Sequence, residues 1–165
     1  MPADNYTWKD TVPSIVAGGF FLAQMIYGGF FLDHPRIDLI KYFGIGIFIL
    51  SAFFGMGTIF IFKKKGGVKK GESFINTTKI VDTGIYSIVR HPQYSAFNCW
   101  ATAAMLLFQD IIVILFGIPV IVLTYYDMMR EDKVNIKKFG IKYEEYMKKV
   151  PRANFVWGII KLILR

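Results

Sequence analysis

Hydrophobic residues along this chain are grouped into long runs, and short polar or charged stretches separate the runs. Four runs stand out, at about residues 12–32, 37–62, 92–108 and 111–126. A helix needs about 20 mostly apolar residues to cross the hydrocarbon core of a bilayer. The first two runs have that length, and the shorter third and fourth runs fit a hairpin that only just crosses. The pattern therefore predicts an all-α integral membrane protein with about four transmembrane helices.

The chain becomes charged after the fourth run, from Asp127 onward. Apolar residues recur there at spacings of three and four, which is typical of one helical face. They are Ile136, Phe139, Tyr143, Tyr146 and Val150. Gly140 is expected to divide this helical segment and Pro151 to end it. Residues 155–164 are apolar but too short to span, so we expect them at the membrane interface or packed on the bundle.

Composition and charge support a membrane protein and suggest its orientation. Hydrophobic residues make up 54% of the chain, mean hydropathy is +0.41 and the net charge is +8. The basic residues concentrate at the ends of apolar runs, in the loop Lys63–Lys70 and in residues 130–152. The positive-inside rule then places both segments and both termini on the cytoplasmic side. The same rule accounts for the charge without a nucleic-acid partner, so none is expected.

A single cysteine, Cys99, and two histidines leave no basis for a disulfide framework or a histidine- and cysteine-rich metal site. We therefore expect no metal. No internal repeat or low-complexity linker divides the chain, so residues 1–165 are interpreted as one membrane-embedded domain.

Polar groups are unusually dense on either side of the predicted hairpin, in residues 84–94 and 130–133. Ionisable groups at the membrane surface are candidates for function. Arg90 and Arg130 could instead be anchors at helix ends, and the tyrosines could form an interfacial aromatic belt. Residue types alone do not name a reaction here.

The order of short motifs is more informative. Arg90-His91-Pro92-Gln93-Tyr94 resembles the Arg-His-Pro-x-Tyr motif of the isoprenylcysteine carboxyl methyltransferase family, and Gly84-Ile85-Tyr86 resembles the Gly-x-Tyr sequence that precedes it. Glu131-Asp132 resembles the paired acidic motif of that family. Residues 139–146, followed by Val150-Pro151, resemble its Phe-Gly-x-x-Tyr-x-x-Tyr…Val-Pro signature. Order and spacing agree from Val81 to Pro151, whereas the first two runs match only as spans.

The resemblance implies methyl transfer from S-adenosyl-L-methionine, with a cofactor region in residues 78–94 and 127–152. The implied cofactor-binding residues are Tyr86, His91, Pro92, Gln93, Tyr94 and Glu131, together with Thr78, Lys79, Ile80 and Val81. Arg90 and Glu131 are the expected catalytic residues, and Asp127 and Arg130 the expected substrate-binding residues. Glu131 can pair with the ammonium or accept from the ribose hydroxyls of the cofactor, and Arg90 or His91 can meet its carboxylate.

The methyl acceptor is less well defined. Members of the family that methylate prenylcysteine carry an arginine four residues before the glutamate, and this chain has Asp127 there. An acidic residue suits an amine better than a carboxylate. We expect a lipophilic or lipidated acceptor that enters from the bilayer. A methyltransferase of phospholipid amines or small thiols, a sterol-reductase-like enzyme and a non-enzymatic membrane scaffold remain alternatives.

Overall fold

The computed structural model describes residues 10–31, 36–67 and 77–164, and all regular secondary structure in these ranges is helical. The elements are α1 Val12–Phe30, α2 Asp38–Lys65, a 3-10 helix Gly84–Ser87, α3 Pro92–Phe108, α4 Ile111–Phe139, α5 Ile141–Lys149 and α6 Phe155–Ile163. The all-α prediction is therefore confirmed. Within the described ranges, three helical stretches are long and apolar enough to cross a membrane: Val12–Phe30, Asp38–Thr58 and Ile111–Phe139.

The helix boundaries follow the hydrophobic runs except at α4. This helix does not stop where the fourth run ends but continues to Phe139. The charged sequence that forms its second part is rich in good helix formers such as Met, Arg, Glu and Lys. Gly140 then adopts φ +61° and separates α4 from α5, as the sequence predicted. The end of the first run at Leu32, the link at residues 33–35 and the part of the basic loop after Gly67 lie outside the described residues.

The described residues group into two compact units, and the first contains residues 10–31, 36–53 and 96–127. A buried glutamine joins its helices: Gln24 Nε2 of α1 lies 3.1 Å from the carbonyl oxygens of both Ala101 in α3 and Val113 in α4. Phe21 of α1 packs edge-on against Phe97 of α3, with ring centroids 5.0 Å apart. The same side chain thus connects α1 to both α3 and α4.

The turn between α3 and α4 is held by the side chains of Gln109 and Asp110. Gln109 adopts φ +52° and makes two hydrogen bonds, of 2.9 and 3.0 Å, with the backbone N–H and C=O of Ile37. Asp110 Oδ1 accepts from the backbone N–H of Ile112 at 2.7 Å, which satisfies a free donor of the first turn of α4. These two side chains thus fix the short link between the third and fourth apolar runs.

The second unit contains residues 54–67, 77–95 and 128–164. It has two apolar clusters, and one of them consists of the helical face predicted from the sequence. Tyr143, Tyr146 and Val150 form its buried centre, and its edge is formed by Ile80, Ile136, Phe139 and Met147. The other cluster is built from Val81, Ile85, Tyr86 and Val89, against which Ile61, Ile88 and Phe155 pack.

Helix α6 contacts the second unit through a glycine. Gly158 is buried, and a Cβ at this position would overlap the carbonyl group of Ile88. Asn154 caps the helix, because its side chain accepts from the backbone N–H of Trp157 at 2.9 Å. The helix therefore packs on this unit along one side, while Val156 and Ile163 remain 70% and 77% exposed on its other sides.

Candidate active site

The Arg-His-Pro segment before α3 is paired with the chain that follows α5. The backbone N–H of Arg90 donates to the carbonyl of Pro151 at 3.0 Å, and that of His91 donates to the carbonyl of Arg152 at 3.1 Å. Two motifs about 60 residues apart in sequence are thereby brought together. Pro92 follows directly as the first residue of α3, a position where its missing N–H costs nothing.

Arg90 is buried and its guanidinium is used for internal contacts. Nη1 donates to the carbonyls of Met147 and Val150 at 3.0 and 2.6 Å, and Nη2 donates to Asp132 Oδ2 at 2.9 Å. The guanidinium thus satisfies the last carbonyls of α5, which have no partner within that helix. Both Nη atoms therefore face protein acceptors.

Asp132 of α4 is the centre of the cluster, and its side chain is only 3% exposed. Oδ1 lies 2.8 Å from His91 Nε2 and accepts from the Tyr143 hydroxyl at 2.9 Å. Oδ2 accepts from Arg90 Nη2 at 2.9 Å and from Arg152 Nε at 2.8 Å. Two guanidinium groups on one carboxylate compensate the cost of burying its charge. A single acidic side chain thus connects α4, α5, the segment before α3 and the segment after α5.

Glu131 lies next to Asp132 in sequence but is in a different environment. Its side chain is 46% exposed, and Oε1 is 3.8 Å from His91 Nδ1. That separation exceeds a hydrogen bond. The two ring nitrogens of the buried His91 therefore face different carboxylates, Nε2 the buried Asp132 and Nδ1 the accessible Glu131.

Three tyrosines around the cluster are kept neutral by burial. Burial, reinforced by the Asp132 carboxylate, raises the pKa of the Tyr143 phenol, and burial also raises the pKa of Tyr146. Burial and the charge of Glu131 raise the pKa of Tyr86. Tyr146 donates to the backbone carbonyl of Tyr86 at 2.6 Å. These phenols can therefore act as hydrogen-bond donors throughout the physiological pH range.

The remaining residues of the Arg-His-Pro-x-Tyr motif differ in exposure. Pro92 is fully buried, Gln93 is exposed and Tyr94 is half-buried. The rings of His91 and Tyr94 meet edge-on with centroids 6.1 Å apart. Among these three residues, Gln93 and Tyr94 have side-chain surface available to a ligand.

The stretch Thr78 to Val81 lies in the same unit but contributes differently at each residue. Val81 and Ile80 belong to the two apolar clusters. The exposed Thr78 is tied to the end of α2, since its backbone N–H donates to the carbonyl of Gly66 at 3.1 Å. Lys79 is exposed. Of the four, Thr78 and Lys79 present side chains to the surface.

The two residues expected to bind the acceptor fall in different units. Asp127 belongs to the first unit, is 4% exposed and accepts from the hydroxyl of Ser14 in α1 at 2.5 Å. Arg130 belongs to the second unit and is half-buried on α4.

Three residues of the cluster were not predicted as site residues: Asp132, Tyr143 and Arg152. The sequence offered a signal for two of them. Asp132 is the second member of the acidic pair, and Tyr143 lies on the predicted apolar face. No pattern pointed to Arg152, because an arginine after a Val-Pro pair looks like an ordinary surface residue.

Comparison with known proteins identifies the family of this chain. The model of the phospholipid methyltransferase family matches residues 39–142, which is more than half of the chain. The chain belongs to this family. With its long apolar helices, it is an integral membrane protein.

Curated relatives refine the comparison. The chain is 34% identical over 73 residues to protein-S-isoprenylcysteine O-methyltransferase of Schizosaccharomyces pombe, covering 44% of this chain and 31% of the relative. It is 38% identical over 72 residues to the Saccharomyces cerevisiae protein of the same name, covering 43% and 30%. Protein-S-isoprenylcysteine O-methyltransferase B of Arabidopsis thaliana is 30% identical over 121 residues, covering 68% and 57%. The matches thus span about a third to somewhat over half of these relatives. No solved structure matches the chain significantly.

Proposed function

We propose that this protein transfers a methyl group from S-adenosyl-L-methionine to a lipophilic acceptor. The observation that carries the proposal is the pair of polar atoms His91 Nδ1 and Glu131 Oε1, 3.8 Å apart beside a buried charge cluster. The names of the curated relatives point to the same reaction class.

The donor and acceptor chemistry of these residues fits the cofactor. A carboxylate and an imidazole nitrogen are suited to an ammonium group or to ribose hydroxyls. The half-buried Tyr94 offers a ring face for the adenine or the sulfonium. When bound, S-adenosyl-L-methionine would supply a methyl group on a positively charged sulfur. As the acceptor takes the methyl group, the remainder of the cofactor, S-adenosylhomocysteine, would leave as a neutral thioether.

The residues of this chain contribute binding and orientation. We assign cofactor contacts to Glu131, His91, Gln93, Tyr94 and Lys79. Each of these residues has a polar side chain, and each lies either beside the Asp132 cluster or at the protein surface. Positioning of this kind can supply a large part of the rate of a displacement reaction. Arg90, first expected to be catalytic, is proposed to hold the site together, because its Nη atoms bond Met147, Val150 and Asp132.

The proposed arrangement in the membrane is four spans, in α1, α2, α3 and the apolar part of α4. The site, both termini and the C-terminal segment face the cytoplasm, as the lysines at the end of α2 and throughout α5 favour. A soluble cofactor then enters from the cytoplasm and a lipophilic acceptor from the bilayer.

A phospholipid amine is the second candidate acceptor. One ground is the carboxylate of Asp127, at a position where prenylcysteine-methylating members of the isoprenylcysteine carboxyl methyltransferase family carry an arginine. The other is that the chain belongs to the phospholipid methyltransferase family. A prenylcysteine carboxylate is favoured by the names of the curated relatives.

The test is a methyl-transfer assay with radiolabelled S-adenosyl-L-methionine and purified protein in lipid. The acceptors are a prenylcysteine analogue, phosphatidylethanolamine and a small hydrophilic thiol. Labelled prenyl or lipid product, lost in Glu131→Gln and retained in Glu145→Gln, supports the proposal; Glu145 is exposed on α5. Label only on the thiol contradicts the lipophilic acceptor, and the absence of any labelled product contradicts the methyltransferase proposal.

A further inference from the structure

We infer that Asp132 is a positioning residue that holds His91 in the tautomer with hydrogen on Nε2, so that Nδ1 is presented as an acceptor beside Glu131. This inference deepens the proposed function and rests on it for the identity of the ligand. The hydrogen on Nε2 is argued from contacts within the protein, and the absence of a hydrogen on Nδ1 is the part of the inference that the measurement below tests.

The first step is the charge on Asp132. Arg90 and Arg152 both direct guanidinium nitrogens at Oδ2, at 2.9 and 2.8 Å. Arginine is always protonated in proteins and can only donate. Oδ2 therefore accepts two hydrogen bonds and carries no hydrogen, and the two guanidinium charges beside it favour the ionised form of the whole carboxyl group.

The second step concerns Oδ1. An ionised carboxylate can only accept, so His91 Nε2, at 2.8 Å from Oδ1, has to carry the hydrogen of that bond. Tyr143 also donates to Oδ1, at 2.9 Å. In the neutral imidazole the second nitrogen then has a lone pair. The tautomer of a histidine is set in this way by the hydrogen bond that its other nitrogen makes.

The third step concerns the ligand. His91 Nδ1 and Glu131 Oε1 are both acceptors and stand 3.8 Å apart, too far for a direct hydrogen bond. A group with several donors can contact both of them. An ammonium has three N–H donors, which makes the α-ammonium of the cofactor the group best suited to this pair. The ribose diol, with two O–H donors, has the same hydrogen-bonding chemistry.

Asp132→Asn changes the tautomer in a definite direction. Arg90 and Arg152 require the oxygen of the new amide at the position of Oδ2, which leaves its NH₂ facing His91 and Tyr143. A donor at that position requires Nε2 to accept. The hydrogen then moves to Nδ1, which can donate to Glu131 and no longer accepts from a ligand.

The tautomer can be measured directly, because the chain has only two histidines, His34 and His91. In a His34→Gln background, ¹⁵N-labelled imidazole gives one pair of signals in NMR of the protein in lipid nanodiscs. The expected result is a protonated Nε2 and an unprotonated Nδ1. Asp132→Glu keeps two carboxylate oxygens and is expected to keep this pattern. Asp132→Asn is expected to reverse it, and Glu145→Gln, the same chemical change on the exposed face of α5, to leave it unchanged.

Binding of S-adenosylhomocysteine to the same samples completes the test. Asp132→Asn should weaken binding by about one to two decades, whereas Glu145→Gln should not. A protonated Nδ1 in the otherwise wild-type protein, or an unchanged tautomer in folded Asp132→Asn, would overturn the inference. The wild-type measurement is decisive even when a variant fails to fold. If the tautomer is as expected but S-adenosylhomocysteine does not bind, the proposed function fails and the positioning role stands.

5′-Methylthioadenosine, which retains the ribose but lacks the ammonium and the carboxylate, distinguishes the two donor groups. If the ammonium occupies the acceptor pair, Glu131→Gln should weaken S-adenosylhomocysteine and leave 5′-methylthioadenosine unaffected. Equal loss for both ligands would contradict the ammonium assignment in favour of the ribose.

Discussion

His91 Nε2 lies 2.8 Å from Asp132 Oδ1, so the motif before α3 is bonded directly to the charged part of α4. The two residues are 41 positions apart in sequence, and both are almost completely buried. Their contact explains why a histidine at the start of an apolar helix is not simply a capping residue. Its other nitrogen is held beside an accessible glutamate, the position at which we propose that the ligand binds.

The hydroxyl of Tyr143 is expected to stabilise the folded protein through this cluster. Tyr143→Phe removes one of the donors to the buried carboxylate, and losing a hydrogen bond to a charged group costs roughly 1.5–3 kcal/mol. Thermal unfolding in detergent should show a clearly lower midpoint. Tyr42→Phe is the control, because Tyr42 is 63% exposed on α2. Equal midpoints for the two variants would show that the bond to Asp132 contributes little.

Gly158 is expected to be required for the packing of α6. In Gly158→Ala the added methyl group overlaps the carbonyl of Ile88, so the helix has to shift. The free energy of unfolding should fall by about 1–3 kcal/mol, as for other overpacked sites. Gly19→Ala on α1 meets no atom within 4 Å and should be neutral or slightly stabilising. Faster proteolysis after Arg152 or Lys161 in Gly158→Ala, but not in Gly19→Ala, would show that α6 has loosened. Identical behaviour of the two variants would argue against close packing at Gly158.

The sequence predicted most of the fold because apolar runs and turn residues act locally. The ends of α3 and the break at Gly140 follow from side chains that are close in sequence, whereas the turn at Gln109 also depends on its hydrogen bonds with Ile37. The apolar face of residues 136–150 was also predicted, because its period is that of a helix. The length of α4 was not, since a change from apolar to charged residues does not by itself end a helix.

The candidate site was predictable only in part. Motifs identified Arg90, His91 and Glu131, but they could not show that the Nη atoms of Arg90 contact protein acceptors or that Asp132 receives four hydrogen bonds. These relationships depend on backbone pairing between residues 90–91 and 151–152. Contacts over such separations have no local signature.

Four membrane spans would place the lysines at the end of α2 and those of α5 on the same side. Single cysteines at Lys65 and Lys148, both exposed, can be introduced into a Cys99→Ala background. Both should react with a membrane-impermeant maleimide in inside-out vesicles, and neither in intact cells. Labelling of the two positions from opposite sides would contradict the four-span arrangement.

Asp127, if it contacts the acceptor as proposed, should distinguish the two candidate acceptors. Its buried carboxylate, bonded to Ser14, attracts a cationic amine and repels a carboxylate. If the acceptor is a phospholipid amine, Asp127→Asn should lower kcat/KM for that acceptor about tenfold or more. This factor corresponds to the loss of a charge contact that contributes about 1.4 kcal/mol or more. For a prenylcysteine analogue the same change should have no effect or raise the rate. Ser14→Ala, which keeps the carboxylate, is the control. A loss of activity toward both acceptors in Asp127→Asn would indicate a structural role.

The most direct test of the whole account is binding of S-adenosylhomocysteine to the purified wild-type protein by equilibrium dialysis, together with Glu131→Gln, His91→Ala and Glu145→Gln. We predict saturable binding at one site per chain. The first two variants should weaken it by roughly one to two decades, because each removes an acceptor for the bound ligand, and Glu145→Gln should bind like the wild type. Absence of saturable binding to the wild-type protein, or an equal effect of all three substitutions, would contradict a cofactor site at His91 and Glu131.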